Sequence, residues 1–401
     1  MILALIAALL IGLLAGTLTG LAPGIHINLV SAVLLSSLGF LAGIPPIALV
    51  VFIASMSLAH TFIDFIPSVF LGAPEEGSYL SVLPAHQMLK EGSGYEASVI
   101  ALMGSLASIP AIIIISPVFI YFLPSVYSVI SSIIPFLLIF ISFYMLFREE
   151  APWPGFIIFA LSGLLGFSAF SLPISDPLLP MLTGLFGISS IVISIKTNTT
   201  INKQKIIPIS SLLHSKKEFL PAALSSYISA PLCSFLPGIG SGHAAVIASE
   251  MSSQNSSPKK FIFLVGASST IVMALSFVTL FSIGKSRTGS ASAVNEILPS
   301  LNLSSLLIIL AAVIISSILA FFIGIYISRL FAANISKINY KKLNFLILAV
   351  LFAVNIYFTN ALGLLVLITS SFLGIYCILS DSKRINMMGS LIIPSIIYYL
   401  L

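Results

Sequence analysis

Residues 20–30, GLAPGIHINLV, interrupt a hydrophobic segment that begins at the first residue. Proline has no amide hydrogen and clashes with the preceding helical turn, and the adjacent Gly24 permits a sharp change of direction. A helix is therefore expected to break at Pro23, yet the sequence turns apolar again at once. Backbone groups freed in this way must be buried in protein or face a wet cavity, because lipid cannot satisfy them. The stretch predicts a helix that is interrupted inside a bilayer.

The composition places almost the whole chain in a membrane. Of its 401 residues, 58% are hydrophobic and only 7% are charged, whereas a soluble domain has about 25% charged residues. Apolar stretches of about 20 residues, the length of a bilayer-spanning helix, recur along the sequence. The net charge of +5 comes from a few short loops, which indicates membrane topology and no nucleic-acid partner. We therefore expect an all-α, multi-pass protein of the cell membrane, embedded in the lipid bilayer.

A polar bridge divides the hydrophobic segments into two series of seven, with 97–120 and 126–147 among the first series and 218–236 and 239–250 at the start of the second. The bridge, KTNTTINKQKIIPISSLLHSKKE (196–218), carries five lysines. We predict a first transmembrane repeat over 1–196, a basic cytoplasmic linker over 197–217 and a second transmembrane repeat over 218–401. Lysine and arginine collect in cytoplasmic loops, and tracing the segments from these loops gives the last helices of the two halves opposite directions. The halves are therefore expected to be inverted in the membrane.

Two short motifs recur in both halves at nearly the same offset. LAPGI (21–25) matches LPGIG (236–240), with the two prolines 214 residues apart (237 − 23). GAPEEGS (72–78) matches GKSRTGS (284–290) at an offset of 212 residues (284 − 72). Inverted repeats with interrupted helices are the arrangement of many secondary transporters. The predicted fold is therefore two inverted-topology repeats with broken or re-entrant helices.

The helices that restart after the two breaks predict a site for an anion. The free amide hydrogens and the positive dipole end of a helix N-terminus attract negative charge. Polar residues occupy the first turn after each break. The predicted substrate-binding residues are Pro23, Gly24, His26, Asn28, Pro237, Gly238, Ser241 and His243. The alternative is that each Pro-Gly pair only kinks a packed helix and that the histidines make hydrogen bonds in the core.

A His-Asp pair lies in the apolar segment AHTFIDFIPS (59–68). His60 and Asp64 are four residues apart and therefore share one face of a helix. An ionisable residue inside a membrane is costly and indicates a functional site. We predict that the pair couples transport to a proton or sodium gradient, and we predict no resident cofactor or metal. The alternative is a pair at the aqueous end of the helix.

The two G-x-x-x-x-G-S loops carry opposite charges. The first contains Gly72, Pro74 and Glu75, and the second contains Lys285 and Arg287. If both loops dip into the membrane, their charges could meet and latch one conformation, with a cation otherwise free to hold an anionic substrate. If both are surface loops, they lie on opposite sides of the membrane and never meet. Neither loop has the Lys-Ser/Thr that follows the second glycine of a nucleotide-binding P-loop.

Three stretches resemble the large membrane subunit of tripartite tricarboxylate transporters, the TctA family. They are GTLTGLAPGIHINLVSAVL (16–34), FLGAPEEGSYLSVLPAHQMLKEGSGYEASVIALMGSL (70–106) and FLPGIGSGHAAVIASE (235–250). The resemblance implies gradient-driven transport of a carboxylate-bearing anion, with a small membrane subunit and an extracytoplasmic binding protein as partners. It also implies that the two Pro-Gly pairs lie at substrate-binding turns and that the loop from Gly72 is a characteristic element.

Three functions remain open on the sequence. The first is a secondary active transporter for a small carboxylate anion, which works by alternating access around a midplane site. The second is a translocase for a polyprenyl-phosphate lipid carrier, because broken hairpins with basic side chains suit a phosphate equally well. The third, an intramembrane enzyme, is the weakest. An aspartyl site needs two carboxylates at membrane depth, and a metalloprotease needs H-E-x-x-H, which is absent. We therefore expect a transporter and not an enzyme.

Overall fold

The computed structural model describes residues 1–22, 31, 34–35, 43–72, 78, 82–149, 152–174, 177–196, 201–213, 216–252 and 257–400. Within these ranges the regular structure is helical and there is no strand. Nine helical stretches of the described chain are long and apolar enough to cross a membrane. The prediction of an all-α, multi-pass membrane protein is confirmed.

The helices are numbered here in chain order. Those before the polar bridge are α1 (Ile2–Leu21), α2 (Pro46–Ile63), α3 (Phe65–Leu71), α4 (Val82–Lys90), α5 (Gly94–Ala107), α6 (Ile109–Phe147), α7 (Pro152–Ser171), α8 (Leu178–Leu182) and α9 (Ser189–Lys196). The later ones are α10 (Ile209–Leu213), α11 (Lys216–Phe235), α12 (Ser241–Ser252), α13 (Pro258–Ile283), α14 (Gly289–Ile297), α15 (Leu303–Asn334), α16 (Tyr340–Phe358), α17 (Ala361–Leu379) and α18 (Gly389–Leu400). A π-helical turn, Thr183–Ile188, joins α8 to α9.

Three glycines let α1 pack tightly against α2. Gly12, Gly16 and Gly20 lie four residues apart and therefore on one face of α1. A Cβ atom at Gly16 would collide with the backbone oxygen of Met56, and one at Gly20 would lie 3.3 Å from the amide nitrogen of Asp64. Small residues permit this close approach between membrane helices. The packing places the last turn of α1 beside the His-Asp pair of the first half.

We expect Gly16→Val to destabilise the fold through this contact. Even a Cβ at Gly16 would lie 2.7 Å from the Cβ of Ala59, so α1 and α2 must separate. Overpacking of this kind costs about 1–3 kcal/mol. The measurement is the thermal unfolding midpoint in detergent, followed by circular dichroism. Gly43→Val is the control, because a Cβ at Gly43 meets no atom within 4 Å; equal midpoints for the two variants would contradict the close packing.

Ion pairs and hydrogen bonds gather charged residues at one end of the helix bundle. Arg148 forms an ion pair with Glu250, and the Nζ atom of Lys259 lies 2.5 Å from the Oε1 atom of Glu96. The ammonium of Lys383 donates to the backbone oxygen of Arg148 at 2.7 Å. We call the end that holds these five residues the basic end. The positive-inside rule assigns it to the cytoplasm, and that orientation stays a prediction.

The long helix formed by α5 and α6 must turn back on itself. A straight helix from Gly94 to Phe147, 54 residues, would be about 80 Å long. Both of its ends nevertheless lie at the basic end, whereas Tyr127 contacts Arg287, which follows the far end of α13. α6 contains three prolines, the usual cause of sharp bends in helices. This helix therefore corresponds to two of the hydrophobic segments seen in the sequence, 97–120 and 126–147.

The Pro-Gly break of the second half forms the tip of a helical hairpin. α11 begins near the basic end, where Phe219 stacks on Phe263 of α13 with the ring centroids 4.9 Å apart. α12 returns to the basic end at Glu250. Because α12 has only 12 residues, it spans about 18 Å, too short to cross a hydrocarbon core of about 30 Å. The tip, residues 237–240, therefore lies inside the bundle.

Helices at equivalent positions in the two halves have equal lengths. α1 and α11 have 20 residues each. The stretches Pro46–Leu71 and Pro258–Ile283 have 26 residues each, and both begin with proline. Both also end before a glycine in the left-handed conformation, with φ of 64° at Gly72 and 65° at Gly284. These matched helices favour the predicted duplication.

The two 26-residue stretches run in opposite directions. Val50, near the start of α2, shares a hydrophobic cluster with Leu280, near the end of α13. Phe70, at the end of α3, shares another cluster with Ile262, near the start of α13. This antiparallel packing is the relation that an inverted repeat requires. Inversion of the complete halves stays a prediction.

Candidate functional site

A cavity of about 1030 Å³ lies between the hairpin tip, α2 and the loop that precedes α14. Its volume is that of a site for a small molecule, since ligand pockets measure about 300–1,000 Å³. Residues from both halves form its wall: His60 and Asp64, the tip 237–240 with Ser241, the loop 286–289, and part of α18. The structure thus brings the predicted ion-coupling pair and part of the predicted substrate site to one place.

The hairpin tip presents the start of α12 to the cavity. Pro237, Gly238 and Ser241 line the wall, and α12 begins at Ser241. His243 lies elsewhere: its side chain is fully buried, and its Nδ1 atom accepts a hydrogen bond from the amide of Gly240 at 3.4 Å. His243 is not among the residues that line the wall. His243 therefore stabilises the backbone of the tip through Gly240 and does not face the cavity.

We expect Gly238→Ala to disturb the tip. Gly238 has a φ of 70°, and an added Cβ would lie 2.7 Å from the Oγ atom of Ser395 on α18. The left-handed backbone costs a residue with a Cβ about 1–2 kcal/mol, and the collision adds to it. Gly284→Ala is the matched control, because Gly284 has a φ of 65° and open space around it. Substrate affinity should fall only in the first variant; equal losses would mean that the contact with α18 is irrelevant.

His60 and Asp64 lie at the junction of α2 and α3, deep inside the protein. Each is only 2% exposed, and both line the cavity. The Nδ1 atom of His60 lies 3.0 Å from the hydroxyl oxygen of Thr19 on α1. The backbone of Asp64 continues the helix, since its amide donates to the carbonyl of His60 at 2.9 Å. This burial argues against a pair at the aqueous end of the helix.

Arg287 is the charged residue that the second loop contributes to the cavity. Its Nη2 atom donates a hydrogen bond to the hydroxyl of Tyr127 at 3.1 Å, and that hydroxyl also interacts with Tyr399 of α18. The Nε atom of Arg287 is buried and has no hydrogen-bond acceptor among the residues that the structure describes. Lys285, in contrast, is exposed and lies off the cavity wall. No sequence pattern marks Tyr127 or Tyr399 as members of this cluster.

The two G-x-x-x-x-G-S loops begin at opposite ends of the bundle. Phe70, just before Gly72, packs on Phe331 near the basic end, with the ring centroids 5.7 Å apart. Ser290, the last residue of the second loop, forms a hydrogen bond with Ser57 of α2, with the two hydroxyl oxygens 2.6 Å apart. The 13 residues from Ser57 to Phe70 (70 − 57) span about 20 Å of helix. Residues 73–77 of the first loop lie outside the described part of the chain, so whether the two loops meet stays a prediction.

Six predicted site residues lie outside the residues that the structure describes. They are Pro23, Gly24, His26, Asn28, Pro74 and Glu75. Their assignment to the substrate site and to the first loop therefore stays a prediction.

Comparison with known proteins identifies the family. The sequence profile described as the Tripartite tricarboxylate transporter TctA family matches residues 6–389. This chain belongs to the TctA family. The chain is also 30% identical over 397 residues to an uncharacterized protein of Methanocaldococcus jannaschii, with 95% of each chain covered. No solved structure gives a significant match.

Membership of the TctA family settles the class of protein. The chain is a multi-pass membrane component of the tricarboxylate-transporter type, as the resemblance in three stretches implies. TctA is a transporter family and not an enzyme family, and it does not favour the lipid-carrier translocase. TctA proteins work in tripartite systems with a small membrane subunit and a periplasmic binding protein. Membership of the family is therefore consistent with a small membrane subunit and a binding protein as partners of this chain.

Proposed function

We propose that this chain is the transport subunit of a secondary active transporter for small carboxylate anions, which bind in the cavity. The observation that carries the proposal is the meeting of three features on one cavity wall. These are the guanidinium of Arg287, the first turn of α12 at Ser241, and the buried pair His60 and Asp64. An anion site and an ionisable pair in contact with the same space are what ion-coupled anion transport requires.

The anion side of the cavity combines a cation with helix N-termini. A guanidinium binds a carboxylate through parallel N–H groups, and such charge-assisted hydrogen bonds are about twice as strong as neutral ones. The starts of α12 and α14, at Ser241 and Gly289, both line the cavity and add the positive ends of their dipoles. The buried Nε atom of Arg287 has no described acceptor, and a substrate carboxylate would supply one.

The ion side of the cavity is the His60–Asp64 pair. A buried carboxylate in an apolar span is costly when charged, so binding of a proton or a sodium ion would stabilise it. Rocking of the two halves about the hairpin tip would expose the cavity to each side of the membrane in turn. The ion pairs Arg148–Glu250 and Lys259–Glu96 join the two halves at the basic end and would separate when that side opens.

Uptake into proteoliposomes tests the proposal. The chain is reconstituted alone and with any small membrane subunit and binding protein encoded beside it. A panel of labelled di- and tricarboxylates is offered under imposed proton or sodium gradients. We expect uptake of at least one carboxylate that an ionophore for the driving ion abolishes. Uptake of no carboxylate, with transbilayer movement of a labelled polyprenyl phosphate instead, would replace this proposal by the lipid-carrier one.

A further inference from the structure

We infer that Thr19 is a positioning residue that fixes the tautomer of His60, so that the Nε2 atom of His60 takes up the coupling proton. The inference rests on the proposed function, in which His60 and Asp64 couple transport to an ion gradient. It goes beyond that function by naming the proton as the ion, the atom that carries it, and the residue on another helix that prepares this atom.

The glycine face of α1 places Thr19 at His60. Gly16 and Gly20 bring the backbones of α1 and α2 into contact, and a Cβ at Gly20 would lie 3.1 Å from the carbonyl oxygen of His60. Thr19 stands beside this face, with its Oγ1 atom 3.0 Å from the Nδ1 atom of His60. The close packing of α1 and α2 therefore sets the distance between the side chains of Thr19 and His60.

The hydroxyl of Thr19 has one hydrogen, and two neighbouring atoms could accept it: the carbonyl oxygen of Gly16 and the Nδ1 atom of His60. Its Oγ1 atom lies 3.3 Å from the carbonyl oxygen of Gly16 in the preceding turn. Threonine inside a helix commonly donates its hydroxyl hydrogen to such a carbonyl. Thr17 of the same helix does so, donating to the carbonyl oxygen of Leu13 at 2.8 Å. With the Thr19 hydrogen directed at Gly16, the hydroxyl oxygen accepts from His60. Nδ1 then carries the hydrogen, and the lone pair of the neutral imidazole is on Nε2.

This hydrogen bond serves both charge states of His60. In the imidazolium both ring nitrogens donate, so Nδ1 remains a donor to Thr19 when a proton binds at Nε2. A proton from the cavity therefore forms the Nε2–H bond without any change of partner at Nδ1, and it leaves by the same bond. In the opposite arrangement Thr19 would donate to Nδ1, and protonation would force the hydroxyl to rotate. The geometry thus favours reversible protonation at one atom.

The charges around His60 suit a proton carrier. Asp64 lies one turn away on the same face, and Arg287 lines the same cavity. The imidazolium that a proton would form at His60 is therefore close to the carboxylate of Asp64. The helices packed against α2 are α1, α3, α5, α13, α14 and α15. Their other described charged side chains lie toward helix ends: Glu96, Lys259, Lys260, Glu296 and Arg329.

Matched threonine variants test the positioning role in transport. Thr19→Val keeps the shape of the side chain and removes the acceptor for Nδ1, whereas Thr17→Val makes the same change two residues away. We expect Thr19→Val to lower proton-driven accumulation about tenfold and to alter the pH profile of that accumulation. About tenfold is the lower end of the loss seen when residues that orient metal-binding histidines are replaced. Thr17→Val and Thr19→Ser should retain both properties. Equal behaviour of the two valine variants would overturn the inference.

The tautomer itself is measurable without transport. Solid-state nitrogen-15 spectra of the histidine-labelled chain in liposomes distinguish Nδ1–H from Nε2–H, and His60→Gln identifies the signal. We expect a neutral Nδ1–H form at high pH that is lost in Thr19→Val and kept in Thr17→Val. An Nε2–H form in the wild type would overturn the inference. If the Nδ1–H form is found but no carboxylate is taken up, the proposed function fails and the Thr19–His60 pairing stands.

Discussion

Replacing Arg287 by glutamine is expected to weaken carboxylate binding by about 10- to 100-fold. Glutamine still offers polar atoms to Tyr127, so the fold should survive, but the positive charge on the cavity wall is lost. Hydrogen bonds that involve a charged group contribute about 1.5–3 kcal/mol, which corresponds to this range of affinity. The measurement is the substrate concentration at half-maximal uptake, together with the shift in unfolding temperature that the substrate causes.

Lys285→Gln is the matched control for Arg287→Gln. It removes the same charge from the same loop, but Lys285 is exposed and off the cavity wall. Its affinity should stay within about twofold of the wild type, because exposed charges in solvent contribute little. If both variants lose affinity to the same degree, the loop acts through its overall charge. The assignment of the substrate to the cavity would then fail.

The sequence predicts the interrupted hairpin of the second half almost to the residue. The hydropathy pattern separates segments at 218–236 and 239–250, and the structure has α11 and α12 on the two sides of Pro237. The signal is local: a proline without an amide hydrogen followed by Gly238, whose φ of 70° few other residues adopt. Local chemistry of this kind is visible in the sequence because it does not depend on tertiary contacts.

Helical periodicity also explains which of the predicted polar residues face the cavity. His60 and Asp64 are four residues apart, so a helix presents both on one face, and both line the cavity. His243 follows Ser241 by two residues, which is about 200° around a helix. When Ser241 faces the cavity, His243 points away from it and caps the amide of Gly240. Position after a break does not by itself decide which side chain faces a ligand.

The tyrosines around Arg287 could not be predicted from the sequence. Tyr127 reaches Arg287 only because α6 turns back on itself, and Tyr399 lines the cavity because α18 packs beside the hairpin tip at Gly238. Both arrangements depend on contacts between residues far apart in the chain. A tyrosine in an apolar segment otherwise looks the same as an anchor at the membrane surface.

Asp64→Asn is expected to separate substrate binding from energy coupling. Asparagine has nearly the size of aspartate and still offers one acceptor oxygen, but it can neither take up a proton nor balance a bound cation. The anion side of the cavity, with Arg287 and the start of α12, is unchanged in this variant. Exchange of labelled for unlabelled substrate should therefore continue, whereas accumulation against a gradient should be lost.

The comparison that decides the role of Asp64 is the ratio of accumulation to exchange in one preparation of proteoliposomes. A buried carboxylate that is 2% exposed is retained at a cost in stability, so a structural role would reduce folded yield and both activities together. A coupling role predicts loss of accumulation alone. Glu296→Gln, which neutralises an exposed carboxylate on α14, controls for the change in net charge. If Asp64→Asn accumulates substrate as the wild type does, the coupling ion binds elsewhere and His60 loses its partner in the mechanism.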